Sequence, residues 1–166
     1  MRFDAIDGIR EAGFEGFVSA ADLRRTNLQS VPDVAGVHLV VRDPGLPPAF
    51  ARKSTGGRFK DKNPTVDRAT LEANWVPGAA VLYIGKAGAG ESLNTLRKRL
   101  KSFVRFGAGD PVGHWGGRLI WQLEDQASLS FCWRRAGSAD ARELERELIQ
   151  EFSRAHGMRP FANLRD

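Results

Sequence analysis

The chain has 166 residues, 42% hydrophobic and 27% charged, which is the balance of a soluble globular protein and the length of one well-packed domain. No apolar run approaches the roughly 20 residues needed to cross a bilayer, and the N-terminal text MRFDAIDGIREAGF holds no signal-peptide core, so a cytoplasmic protein is expected. The single cysteine, Cys132, excludes an internal disulfide and, with three histidines, a cysteine-rich zinc site, while the net charge of +5 suits a polyanionic partner.

Residues 1–35 read as a helical lead-in. FDAIDGIREAG and SAADLRRTNL are helical in composition, Ser19 can cap the second piece, and VPDVAG is turn-like. Residues 36–166 then form the main domain. Its first strand is GVHLVVR, rich in β-branched residues and stopped by DPGLPP, whose prolines cannot continue a ladder. A basic insertion follows at about 43–79. Its centre, ARKSTGGRFKDKNPTVDR, is almost without apolar residues and is expected as a long exposed or partly disordered loop.

TLEANW predicts a short helical turn and AAVLYIG a second strand, after which GKAGAGES forms a glycine loop into a helix beginning after Ser92. Counted from Gly85, this loop nearly spells the phosphate-binding pattern G-x-x-x-x-G-K-[ST]. Glu91, however, stands where lysine belongs, and its charge would repel phosphates. GAGDPVGHWGG is a second glycine loop, and RLIWQL and SLSFCW alternate like half-buried strands. ADARELERELIQEFSRA is the clearest helix, opened near Asp140 and closed before Gly157. Strands and helices mixed in this way predict an α+β fold.

Charge is concentrated in the middle of the chain, where Arg97, Lys98, Arg99, Lys101, Arg105, Arg118, Arg134 and Arg135 face only Asp110, Glu124 and Asp125. A solvated helix face with basic strand ends would account for this, as would a nucleic-acid partner. Two charges break the apolar patterning. On the last helix Ala141, Leu144, Leu148, Ile149, Phe152 and Ala155 share one arc, and Glu145 falls inside it while Arg142, Arg146 and Arg154 fall outside. On the preceding helix Leu93, Leu96, Leu100 and Phe103 form the apolar stripe, and Arg99 sits between Phe103 and Phe106. A buried carboxylate is costly unless it is paired or binds a cation. An Arg99–Glu145 pair would explain both intrusions structurally; a phosphate on Arg99 and a metal on Glu145 would explain both functionally.

With Gly36-Val37-His38, Tyr83-Ile84-Gly85, Lys86, Arg99 in LRKRL, Glu145 in the A-x-x-L-E-x-x-L-I pattern from Ala141 to Ile149, and Asn163 in PFAN occurring in order, the chain resembles the GIY-YIG nuclease family from Gly36 to Asn163. The resemblance implies a small, mainly antiparallel sheet flanked by helices and hydrolysis of phosphodiester bonds in DNA. It makes Glu145 the ligand of one Mg²⁺ or Mn²⁺, gives Arg99 to the phosphate, sets Tyr83 to bind the phosphate or the attacking water, and has Asn163 orient the site. Lys86, His114 and Arg118 are the expected substrate contacts.

The chain departs from the family pattern where His38 replaces a tyrosine, where Phe103 stands one turn after Arg99 in a position often held by histidine, and in the long basic insertion. Imidazole is the better match to neutral pH, which makes His38 a candidate base; His114 could replace the missing histidine in space or anchor its loop, and Trp115 beside it could stack on a base. The same departures also fit a nucleic-acid-binding protein that no longer cuts.

Overall fold

A computed structural model of the chain describes residues 1–88 and 94–164. Residues 89–93 lie outside the described residues, and the phosphate-loop reading of GKAGAGES lies there with them. Four strands, β1 (Glu15–Ser19), β2 (Gly36–Val41), β3 (Val81–Ala87) and β4 (Ser130–Arg135), pair antiparallel in the order β1-β4-β2-β3. Five α-helices accompany them: α1 (Ile6–Glu11), α2 (Ala20–Arg25), α3 (Arg68–Asn74), α4 (Leu96–Gly107) and α5 (Ala141–His156). The protein is therefore α+β, a small antiparallel sheet flanked by helices.

Strand β2 is central and buried at every position, because it has a hydrogen-bonded neighbour on each side and helices over each face. Its alternation sorts the core into two layers. Val37, Leu39 and Val41 pack with Ile9, Leu148 and Phe152 from α1 and α5, whereas Val40 joins Leu23, Leu100 and Phe103 from α2 and α4. His38 lies on the second face, edge-on to Phe103 with ring centroids 6.2 Å apart. Its partner across the ladder is Gly85, where a Cβ would come within 2.6 Å of the His38 ring and 2.8 Å of the Tyr83 ring. Only glycine lets both rings lie across β3 at that point.

The caps follow the sequence. Ser19 accepts from the Asp22 N–H at the start of α2, Asp140 accepts from the Arg142 N–H at the start of α5, and Gly157 ends α5 in the left-handed conformation. Helix α4 begins at Leu96 behind a Thr95 cap, later than the predicted start after Ser92. In α5, Ala141, Leu148, Ile149 and Phe152 are buried as predicted; Leu144 is half-buried and Ala155, in the last turn, is exposed. Each large apolar residue buried here contributes about 1.5–3 kcal/mol, which holds α5 against the sheet.

Three predicted segments differ. The first 35 residues, expected as helices, also supply the edge strand β1, whose ladder with β4 is interrupted by a bulge at Phe17, a residue with φ of 54°. RLIWQL is not a strand: Arg118–Gln122 is a 3-10 helix in which Leu119, Ile120, Trp121 and Gln122 are all buried, so neither face is left for solvent. The basic insertion is not a loose loop. Gln122 reaches into it, accepting from Val66 N–H and donating to the carbonyls of Ala51 and Val66, while Thr55 and Gly57 N–H groups donate to the carbonyls of Trp121 and Phe106. Its cations Arg52, Lys53, Arg58, Lys60 and Lys62 remain exposed.

Candidate active site

A cleft of about 720 Å³ opens where the C-terminal half of β3, the loop before the 3-10 helix, α5 and the last residues of the chain converge. Tyr83 and Lys86 come from β3, Trp115 from the loop and Arg118 from the start of the 3-10 helix, Glu145 and Ile149 from α5, and Asn163 from the C-terminal segment. Lys62 of the insertion stands at its edge. Three cations, Lys62, Lys86 and Arg118, thus share the lining with one carboxylate, Glu145.

Glu145 is the residue that broke the helical pattern, and its side chain is 15% exposed. The Lys86 ammonium hydrogen-bonds to its Oε2. The predicted alternative of an Arg99–Glu145 pair is therefore replaced by a Lys86–Glu145 pair, which joins the strand end to the helix across the cleft. Lysine carries three N–H donors, so one bond to Glu145 leaves two for an incoming oxygen ligand.

Tyr83 is almost wholly buried apart from the cleft. Burial, with the nearby Glu145 charge adding to it, raises its pKa above the ordinary phenol value against the opposing pull of the Arg99 guanidinium. The phenol keeps its proton at neutral pH. Gly116 lies alongside it, at a distance where a Cβ would meet the hydroxyl at 3.3 Å.

Arg99 and the two predicted histidines sit behind this wall. His38 is fully buried, and desolvation with the Arg99 charge lowers its pKa from 6.5 to about 3. The imidazole is neutral in the native protein, so the rationale that made it a base tuned to neutral pH does not hold. His114 is 1% exposed, stacked on Phe103 with centroids 4.2 Å apart, and burial pushes its pKa well below the ordinary value. It fills the space beside Phe103 as a loop anchor and does not line the cleft, so the expected substrate contact is not made. Both ring nitrogens of His38 and of His114, and Arg99 Nε, are buried with no hydrogen-bond partner among the described residues. Arg99, expected on the phosphate, does not line the cleft; its charge lowers the pKa of Tyr83, which does.

Asn163 has both ends of its amide occupied. Its Oδ1 accepts from Ile84 N–H at 2.9 Å and its Nδ2 donates to the Ile84 carbonyl at 2.8 Å, while Ala162 N–H donates to the Leu82 carbonyl. The chain end takes the place of one more strand on the open edge of β3 and fixes the backbone between Tyr83 and Gly85. Asn163, expected to orient the site, bonds to the main chain of Ile84 with both ends of its amide. Arg118 lies over the Trp115 ring, 4.8 Å from its centroid, so the loop presents a cation and an aromatic face together.

Among the described residues no group of three or more His, Cys, Asp or Glu gathers as a metal cage. The donor set fits a hard dication that keeps most of its water and takes one carboxylate with substrate oxygens, and it does not fit a closed structural metal. Lys62 is the cleft residue that patterning does not point to, since it lies in a segment with no periodicity to place it.

The fold and cleft together define a small α+β domain with a cationic pocket around a single partly buried carboxylate. Comparison with models of protein families, with curated proteins and with solved structures gives no match.

Proposed function

We propose that the cleft is the active site of a metal-dependent endonuclease of GIY-YIG type that hydrolyses phosphodiester bonds in DNA. The observation that carries this reading is Glu145, a carboxylate drawn into an apolar helix face and placed at the wall of a cleft whose other charges are cationic. The ordered motifs from Gly36 to Asn163 support it, because four of their residues, Tyr83, Lys86, Glu145 and Asn163, line one pocket, with the Arg99 charge close to Tyr83.

Lys86 and Arg118 hold the phosphate, the lysine by point charge and the arginine by its planar fork. Tyr83, with the Arg99 charge close by, donates a hydrogen bond to a phosphate oxygen. Arg99 places positive charge behind that hydroxyl, so negative charge developing on the phosphate oxygens is stabilised through Tyr83. A Mg²⁺ or Mn²⁺ on Glu145 would supply Lewis acidity and lower the pKa of bound water. Water adds to phosphorus in line and gives up its proton to solvent, the bond to the leaving sugar oxygen breaks, that oxygen takes up a proton from solvent, and no covalent intermediate forms. His38 supports the wall formed by Tyr83 and Phe103 as a neutral ring.

A second reading, a nucleic-acid-binding protein that does not cut, is favoured by one observation: His38 and Tyr83 are shifted away from neutral pH in opposite directions, so neither is poised to accept a proton. The test is incubation of supercoiled plasmid and branched DNA with Mg²⁺ or Mn²⁺, with a chelator as control. Metal-dependent nicking supports the nuclease; salt-sensitive binding with no cleavage at any metal or pH supports the second reading.

A further inference from the structure

A second groove, about 950 Å³, runs along α5 and meets the cleft at Lys86, Glu145 and Ile149, which border both. Its wall is built from Arg142, Arg146, Gln150 and Arg154, with Arg159 from the segment after the helix. Steps of four residues put Arg142, Arg146, Gln150 and Arg154 on one stripe, turned from the apolar arc of Ala141, Leu148 and Phe152 that faces the sheet. The lining holds five cations, counting Lys86, and one carboxylate, Glu145, which Lys86 already pairs. Of the acids on α5 beside the stripe, Glu151 pairs with the Met1 amino group and Glu147 is exposed, while the contact of Glu143 with Arg146 is long, 4.0 Å, with both side chains 64% exposed. Such a pair is worth little and yields readily to a phosphate.

We infer that this groove is a backbone track for the nucleic-acid strand that passes through the cleft, an assignment that rests on the reading of the cleft as a phosphodiester site. From Arg142 to Arg154 the helix advances about 18 Å at 1.5 Å per residue. At roughly 3.4 Å of duplex axis per nucleotide of one strand, that length serves about five phosphates. Arginine forks suit phosphate oxygens, and the rest of the lining, Gln150, Ser153 and Ile149, offers little that would distinguish bases. The track therefore contributes affinity and register without sequence specificity.

The test is fluorescence anisotropy with a fluorescein-labelled DNA duplex, without divalent metal, between about 50 and 200 mM salt. For R142Q/R146Q/R154Q the slope of log K against log salt is expected to shrink by roughly 2.7, at about 0.9 per phosphate contact, and each single variant is expected to lose about 0.9. Arg25→Gln, an exposed arginine on α2 paired with Asp22, leaves the slope unchanged. Circular dichroism checks that the triple variant is folded; if it is not, the single variants carry the comparison. A triple or single-variant slope equal to that of the wild type, with the wild type binding DNA, overturns the track and leaves the cleft reading standing. Loss of slope in a protein that never cleaves supports the track while the catalytic reading fails. No binding of the wild type to duplex, single-stranded DNA or RNA overturns both.

Discussion

Mild acid should destabilise the fold through the buried histidines well before its carboxylates protonate. In the native protein His38 has a pKa of about 3, whereas in the unfolded chain it returns to about 6.5. Below pH 6.5 the unfolded chain takes up a proton that the native state refuses. The stabilisation is thus complete above pH 6.5 and is lost as pH falls from there toward 3. At pH 5 the loss is about 1.5 pH units at 1.36 kcal/mol each, or about 2 kcal/mol for His38 alone. His114, depressed by the same burial and by the Arg99 charge, acts in the same direction. The assay is urea denaturation followed by tryptophan fluorescence at pH 7.5, 6.5, 5.5 and 5 on the wild type and on His38→Leu. The variant should lose about 2 kcal/mol less than the wild type over this range. Equal pH dependence in the two proteins, or a native His38 resonance titrating near pH 6.5 by NMR, would refute the reasoning.

Other perturbations test the supports of the cleft. Asn163→Ala strips partners from a buried N–H and a buried carbonyl of Ile84, and at about 1–3 kcal/mol for each orphaned group it should cost about 2–6 kcal/mol in chemical denaturation; a loss under 0.5 kcal/mol would contradict the strand-edge role. Gly85→Ala forces a methyl into the His38 and Tyr83 rings, both held in the core. The expected cost is about 1–3 kcal/mol, with a shift of Tyr83 visible as altered near-ultraviolet dichroism. An unchanged melting temperature and spectrum would show that the rings can move aside.

The sequence reveals Glu145 because α5 is long, strongly amphipathic and capped at both ends, so a charge inside its apolar arc stands out. Tyr83 and Lys86 are legible for a related reason: they end an apolar strand at a glycine loop. What periodicity cannot supply is the depth of His38. A histidine in GVHLVV reads equally as a solvent-facing or a buried position, and only the packing of Phe103 and the 3-10 segment over that face decides it. RLIWQL is misread because alternation implies a wet face, while here the main chain bonds to the insertion and every side chain from Leu119 to Leu123 is buried. Strand β1 escapes notice because it is short and bulged at Gly16-Phe17. The α5 arginines look like an ordinary solvated face until the groove they line is seen to continue into the cleft.

Single-turnover cleavage of DNA by the wild type and by Glu145→Gln, across a series of Mg²⁺ and Mn²⁺ concentrations, tests the central claim most directly. The substitution keeps the size of the side chain and removes the charge that would hold the metal. The account predicts metal-dependent cleavage by the wild type and a loss of at least about a hundredfold in Glu145→Gln with the fold intact. Cleavage at the wild-type rate in Glu145→Gln, or cleavage by the wild type that a chelator does not suppress, would contradict it.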